Sequence, residues 1–137
     1  MHEKLKGKRI VLVEDNITNM AVFATTLRQH GVQVIQEPWN TNTVGFLLSH
    51  LPVDLILLDI MLRSGISGYD VFDQLQAEPR LRDIPVIGVS SLDAETEIPK
   101  AKEKGFAGFI SKPISIVKFP DQLVACLEGE KVWVTSR

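Results

Sequence analysis

Short apolar runs alternate with amphipathic segments along most of the chain. The runs at residues 10–13, 32–35, 53–59, 86–90 and 108–111 are rich in β-branched and other apolar residues. Between them, apolar residues recur at helical spacing. Strands that are buried on both sides and alternate with helices require a parallel sheet with right-handed crossovers. The pattern therefore predicts an α/β domain built from five strand–helix units.

Capping and breaking residues place the helices only in part. Asn16 can cap a first helix, which we expect to stop at Gly31. The fourth helix is expected to be short and to end at Gly105, with Pro99 in its first turn, where proline is tolerated. We assign residues 1–128 to one domain and residues 129–137 to a tail or the start of a linker. The apolar triplet at residues 132–134 within that tail could dock on the domain.

Composition narrows the class of protein. The 137 residues are 45% hydrophobic and 23% charged, which is typical of one globular domain and excludes disorder. A net charge of −2 gives no basic field, so we expect no direct binding to nucleic acid or to a membrane surface. The single cysteine, Cys126, excludes a disulfide framework. No apolar run is long enough to cross a bilayer, and no leader pattern follows the N-terminus, so a cytoplasmic domain is expected.

Charged and hydroxyl residues stand where the predicted strands end. In an open parallel sheet, ligands bind at the carboxyl ends of the strands. The residues found there are Glu14, Asp15, Asp59, Ser90 and Lys112. Three converging carboxylates repel one another, and a hard divalent cation such as Mg²⁺ or Mn²⁺ would hold them together. The lysine and the hydroxyl suit phosphoryl oxygens, so this set of residues favours an aspartyl phosphate.

Four motifs together carry a family resemblance. They are VLVEDN at residues 11–16, LLDIM at 57–61, IPVIGVSS at 84–91 and GFISKPI at 108–114. In this order and spacing, residues 8–128 resemble the CheY-like receiver domain of two-component response regulators. The resemblance implies a flavodoxin-like (βα)5 three-layer sandwich with a five-stranded parallel sheet in the order 2-1-3-4-5. It also implies a signalling domain rather than an enzyme, with only self-catalysed phosphoryl transfer and dephosphorylation.

The resemblance assigns the acceptor and the metal ligands. Asp59 matches the phosphoacceptor, which receives its phosphoryl group from a sensor histidine kinase or a histidine phosphotransfer protein in a Mg²⁺-dependent reaction. Glu14 and Asp15 match the acidic pair that holds the metal together with Asp59. The backbone carbonyl of Met61 falls where the family supplies one more metal ligand.

The resemblance also assigns a switch. Ser90 and Phe109 match the switch hydroxyl and the switch aromatic, and Lys112 matches the phosphate-binding lysine. The bond between Lys112 and Pro113 is expected to be cis. Phosphorylation would change the surface of the fourth helix, fifth strand and fifth helix, which a downstream partner or a second copy of the chain could then bind.

One position departs from the family pattern, and two others are expected to affect the lifetime of the phosphorylated form. Arg63 stands where receivers commonly have proline, and the loop at residues 62–68 is one residue longer than usual. Met61 and Leu92 flank the path that the family gives to the water that attacks the phosphoryl group. Neither side chain can orient water, so we expect a comparatively long-lived phosphorylated form.

Three other functions compete with the receiver assignment, and the residues argue against the first and the last of them. An aspartate-nucleophile phosphatase would need a second Asp where Met61 stands. A receiver fold could also serve as a constitutive interaction domain without phosphorylation. A flavodoxin would need a hydroxyl-rich phosphate loop where Glu14 and Asp15 stand.

Overall fold

The computed structural model describes residues 3–37, 42–61 and 67–135. In this part of the chain, six parallel strands form one sheet in the order β2-β1-β3-β4-β5-β6. The strands are β1 (Arg9–Val13), β2 (Gln33–Glu37), β3 (Leu55–Asp59), β4 (Val86–Ser90), β5 (Gly108–Ser111) and β6 (Val132–Val134). The expected parallel sheet is confirmed, but the expected count of five strands is wrong. The triplet in the presumed tail pairs with β5 and extends the sheet by one strand.

Helices cover both faces of this sheet. They are α1 (Ile17–Arg28), α2 (Thr43–Leu48), α3 (Gly68–Gln76), α4 (Ala94–Lys104) and α5 (Phe119–Leu127), and a short 3₁₀ helix (Glu3–Leu5) precedes β1. One apolar core lies between the sheet and helices α1 and α5, and the other lies between the sheet and helices α2, α3 and α4. This is the three-layer, flavodoxin-like arrangement.

The central strand β3 shows why the apolar runs lack polar alternation. All of its residues are buried. Successive strand residues point to opposite faces, so Leu55 and Leu57 enter the α1–α5 core while Ile56 and Leu58 enter the other. Asp59 closes the strand at its carboxyl end, where the register places it next to Val89 of β4.

The chain turns into α1 directly after β1. The side chain of Asn16 accepts a hydrogen bond of 2.9 Å from the backbone N–H of Asn19, which caps the helix as expected. Glu14 and Asp15 are therefore confined to a tight turn at the carboxyl edge of the sheet.

Helix α4 differs from its prediction in length. It has eleven residues and continues through Pro99, which lies beyond the first turn. A proline in a helix interior costs roughly 3 kcal/mol. Tertiary contacts offset this cost: Ala101 is fully buried, and the Tyr69 hydroxyl donates a 2.9 Å hydrogen bond to the buried Glu97 side chain. Proline position alone was therefore a poor guide to this helix.

Within the described ranges, the structure contains no helix that combines the length and the apolar character needed to cross a bilayer.

Candidate functional site

Three carboxylates meet at the carboxyl edge of the sheet. Glu14, Asp15 and Asp59 each place one carboxylate oxygen within 4.8 Å of the others. Their meeting follows from the topology, because β1 and β3 are neighbours and Val13 is in register with Leu58. Glu14 and Asp59 are buried, with 3% and 6% of their surface exposed. The residues predicted to converge from two separate motifs therefore form one acidic cluster.

Lys112 reaches this cluster from the end of β5. Its ammonium nitrogen lies 2.9 Å from Oε1 of Glu14 and 3.0 Å from Oδ2 of Asp59. Strand β4 separates β5 from β3, so only a long side chain can cover this distance. Only 16% of the lysine side chain is exposed, so solvent screens this pairing much less than it screens a surface ion pair.

The charges of the cluster are only partly balanced. Burial raises the pKa of Glu14 to about 7, and the neighbouring Asp59 raises it as well, while Lys112 opposes the shift. Burial would lower the pKa of Lys112, but its hydrogen bond to Glu14 and the charge of Asp59 outweigh this and hold that pKa above its usual range. One ammonium therefore contacts two members of a cluster of three acids. A hard divalent cation with oxygen ligands fits the remaining charge and the donor set.

Backbone groups already engage the polar atoms at this edge. The N–H of Met61 donates to Oδ1 of Asp59 at 2.9 Å, and the N–H of Leu92 donates to Oγ of Ser90 at 3.0 Å. Ser90 is 1% exposed. The side chains of Met61 and Leu92 are instead exposed, by 56% and 36%. Two apolar side chains thus border the opening of a polar site.

The remaining predicted residues lie beside the cluster. Phe109 is fully buried in the core beneath α2, α3 and α4, where it lies between Gly88 and Trp133 in the strand register. The structure therefore places it in the core and not among the acids. The peptide bond between Lys112 and Pro113 is cis.

Gly68 is a site residue that the sequence analysis did not single out. A Cβ at this position would overlap the carbonyl oxygen of Asp59, and the Gly68 N–H donates to the Ile60 carbonyl at 2.7 Å. Only glycine allows the start of α3 to approach the acceptor strand this closely. A glycine at the end of the loop was the available signal. The expectations about Arg63 and the longer loop at residues 62–68 rest on residues 62–66, which lie outside the described residues.

A sheet of this order with three acids and a lysine at one edge defines a receiver-type signalling domain. The family model for the response regulator receiver domain matches residues 10–124. The chain belongs to this family, as the four motifs indicated.

Individual relatives agree with this assignment. The polar-differentiation response regulator DivK of Brucella ovis is 32% identical over 88% of this chain and 96% of its own length. A response regulator from Desulfuromonas acetoxidans has a similar structure, with a TM-score of 0.77, 25% identity, and coverage of 88% of this chain and 97% of that one. The signal receiver domain of a histidine kinase from Syntrophus aciditrophicus has a TM-score of 0.76 and 28% identity, covering 90% of this chain and 92% of that one.

Proposed function

We propose that Asp59 is the phosphoacceptor of this receiver domain and takes a phosphoryl group from a phosphohistidine. The observation that carries the proposal is the contact of Lys112 with Asp59 inside an acidic cluster. A buried carboxylate with an adjacent ammonium can present an oxygen to phosphorus while the ammonium pairs with a phosphoryl oxygen.

The residues at the site divide the work of transfer. A carboxylate oxygen of Asp59 forms a bond to phosphorus as the phosphorus–nitrogen bond to the histidine breaks, and the imidazole keeps that electron pair. Lys112 then exchanges part of its contact with Asp59 for a phosphoryl oxygen. The Ser90 hydroxyl donates to another oxygen.

Glu14, Asp15 and Asp59 would hold Mg²⁺, or Mn²⁺ in its place, with the Met61 backbone carbonyl as a further ligand. When bound, the ion would neutralise charge on the phosphoryl oxygens and on the carboxylates, which lowers the repulsion between acceptor and donor. Lys112 contacts two of these three acids, so a divalent cation would supply positive charge that the single ammonium does not.

The phosphorylated state would be read at the face formed by α4, β5 and α5. Engagement of Ser90 by the phosphoryl group changes the β4–α4 loop, and Phe109 lies one strand away. We propose that a downstream partner, or a second copy of the chain, binds this face. Because β6 lies against β5, such a partner would also contact Val132–Val134.

The donor would dock in a groove beside the acidic cluster. A cavity of about 460 Å³ opens between α1 and the β5–α5 loop, and its lining includes Val22, Ile116 and Lys112. Val22 and Ile116 are 43% and 57% exposed, although both are apolar. A helical phosphohistidine domain that binds here would bury these side chains and bring its imidazole to the carboxyl edge of the sheet, next to Asp59.

The test is incubation with acetyl phosphate and Mg²⁺, followed by intact-mass analysis. The wild type should gain one phosphoryl group, and Asp59→Asn should gain none. Asp54→Asn is the matched control. Asp54 directly precedes β3, at the end of the strand away from Asp59, and its side chain accepts a 2.8 Å hydrogen bond from the Arg9 N–H. Gain by Asp59→Asn, or gain that persists after chelation of the metal, would refute the proposal.

A further inference from the structure

The sixth strand is closely integrated with β5. Val132 pairs with Gly108, Trp133 with Phe109 and Val134 with Ile110, all in parallel register. The N–H of Val132 donates to the Ala107 carbonyl at 3.1 Å. Val132 and Val134 pack against the α1–α5 core, whereas Trp133 packs against the core on the other face. This short strand therefore seals both cores at one edge of the sheet.

Gly108 allows β5 and β6 to approach each other closely because it has no side chain. A Cβ at this position would lie 2.5 Å from the carbonyl oxygen of Val132, and its three nearest atoms all belong to Val132. Even one methyl group at this point would displace β6. The edge of β5 is thus shaped to receive the backbone of β6.

The strand runs towards the acidic cluster. Because β6 is parallel to β5, the pair formed by Ile110 and Val134 immediately precedes Ser111 and Lys112. The next residue, Thr135, lines a cavity of about 220 Å³ together with Ser111, Lys112 and the β4–α4 loop. The segment that carries the phosphate-pairing lysine is therefore supported on its outer side by β6.

A second contact joins β6 to α4. The Lys102 ammonium of α4 lies over the ring of Trp133, 5.2 Å from the ring centroid. Trp133 is itself in register with Phe109 of β5. A cation over an indole face is attractive and helps to hold the strand in place. Loss of the ring would remove both this contact and the apolar cover at the edge of the core.

We propose that β6 is a positioning element: by pairing with β5 it holds Lys112 where it reaches Asp59. The inference rests on the proposed function, because the phosphoryl group is the ligand that Lys112 would meet. Without β6, strand β5 would be an unsupported edge, and ordering Lys112 around a phosphoryl group would cost more conformational entropy. By linkage, a group bound at Asp59 must stabilise β6 to the same degree that β6 favours its binding.

The reciprocal effect is measured against β2 at the opposite edge of the sheet, where the Gln33 N–H donates to the Lys8 carbonyl at 2.8 Å. If β6 were merely structural, a bound ligand would slow amide exchange equally at both edges. Wild-type protein is first loaded with acetyl phosphate to establish the acceptor reaction. Beryllofluoride with Mg²⁺, a stable mimic of the phosphoryl group, is then added to a separate, unphosphorylated sample, and amide exchange of Val132 is followed by NMR. We expect exchange at Val132 to slow at least about fivefold more than exchange at Gln33, within the usual range of coupling between sites.

Variants test the other half of the linkage. Gly108→Ala and Trp133→Ala should each raise the dissociation constant for beryllofluoride at least about fivefold, and Trp133→Phe should restore most of the affinity. Val34→Ala is the matched control, since it removes apolar contacts from the core that Val132 and Val134 also cover, but at β2, the opposite edge of the sheet. It should lower stability without changing the dissociation constant.

The outcomes separate the two claims. If the wild type gains no phosphoryl group from acetyl phosphate, both the proposed function and this inference fail. If the wild type gains the phosphoryl group, but Val132 slows no more than Gln33 and both β6 variants bind beryllofluoride as the wild type does, only the positioning role of β6 is overturned. Because Trp133→Ala acts through a side chain and Gly108→Ala through the backbone, a folding defect in one still leaves the other to decide.

Discussion

The ammonium of Lys112 lies 3.0 Å from a carboxylate oxygen of Asp59, although β4 lies between the strands that carry the two residues. The same ammonium contacts Glu14 at 2.9 Å. In the metal-free protein this lysine is therefore the cation that allows two buried acids to coexist. Its replacement tests how the charge of the site is balanced.

Lys112→Met should lower the free energy of unfolding by about 3 kcal/mol at pH 8 in the presence of a chelator, because Glu14 and Asp59 lose their common partner. Added Mg²⁺ should recover much of this loss, since the ion supplies the missing positive charge. Urea unfolding with and without the metal measures both effects. Lys104→Met is the control, because Lys104 pairs with Asp73 at the surface, where such a pair contributes about 0–1 kcal/mol. An equal loss in both variants would contradict this account of the charge balance.

The lifetime of the phosphorylated form should depend on Met61 and Leu92. Both side chains are exposed at the opening of the site and neither can hold a water molecule by a hydrogen bond. Replacing both by Asn should speed loss of the phosphoryl group by about 10- to 100-fold. The upper value equals the smallest rate enhancement, about 100-fold, that a positioned acid–base group usually gives. The decay is followed by intact mass after removal of acetyl phosphate. An unchanged lifetime would show that these positions do not control access of water.

Docking of the phosphohistidine donor should depend on the apolar groove. The donor is a phosphorylated histidine domain that transfers its phosphoryl group to the wild type. Val22→Asp should slow this transfer at least about fivefold more than it slows phosphorylation by acetyl phosphate. The small donor needs no docking surface, so the ratio of the two rates isolates the groove. Leu51→Asp is the control, because Leu51 is similarly exposed at 39% but precedes β3 at the opposite end of the sheet. Equal ratios in the two variants would argue against this docking surface.

Cys126 should behave as a core residue and not as a reactive thiol. It is 3% exposed, and burial raises its pKa to about 11 from an ordinary 9.0. The unfolded thiol ionises at lower pH than the folded one, so this group's contribution to stability is complete below pH 9 and is lost as pH rises towards 11. In the native protein at pH 8, a thiol reagent should react only as fast as the protein opens. Replacement by Ala should remove the reaction, and rapid modification of native protein would contradict the burial of the thiol.

The sequence predicted most of the site because the site follows from two simple regularities. Apolar runs located the five strands, and parallel pairing forces the residues that end them to the same edge. These two regularities place Glu14, Asp15, Asp59 and Lys112 together. The distances, the burial of Glu14 and its raised pKa depend on packing, which no residue pattern specifies.

Two features could not be read from local pattern. Strand β6 has only three residues, and its pairing depends on a glycine in β5 that is distant in sequence. Helix α4 continues through Pro99 because Glu97 and Ala101 are held by tertiary contacts that outweigh local propensity. In both cases long-range packing decides the structure, whereas helix propensity or the length of the segment would predict a different one.

The most direct test of the central claim is to locate the phosphoryl group. Protein loaded with acetyl phosphate and Mg²⁺ is reduced with borohydride, which converts an aspartyl phosphate to homoserine, and is then digested and mapped by mass spectrometry. We predict homoserine at residue 59 alone. Homoserine at Asp15, Asp54 or any other position in place of residue 59 would contradict the account.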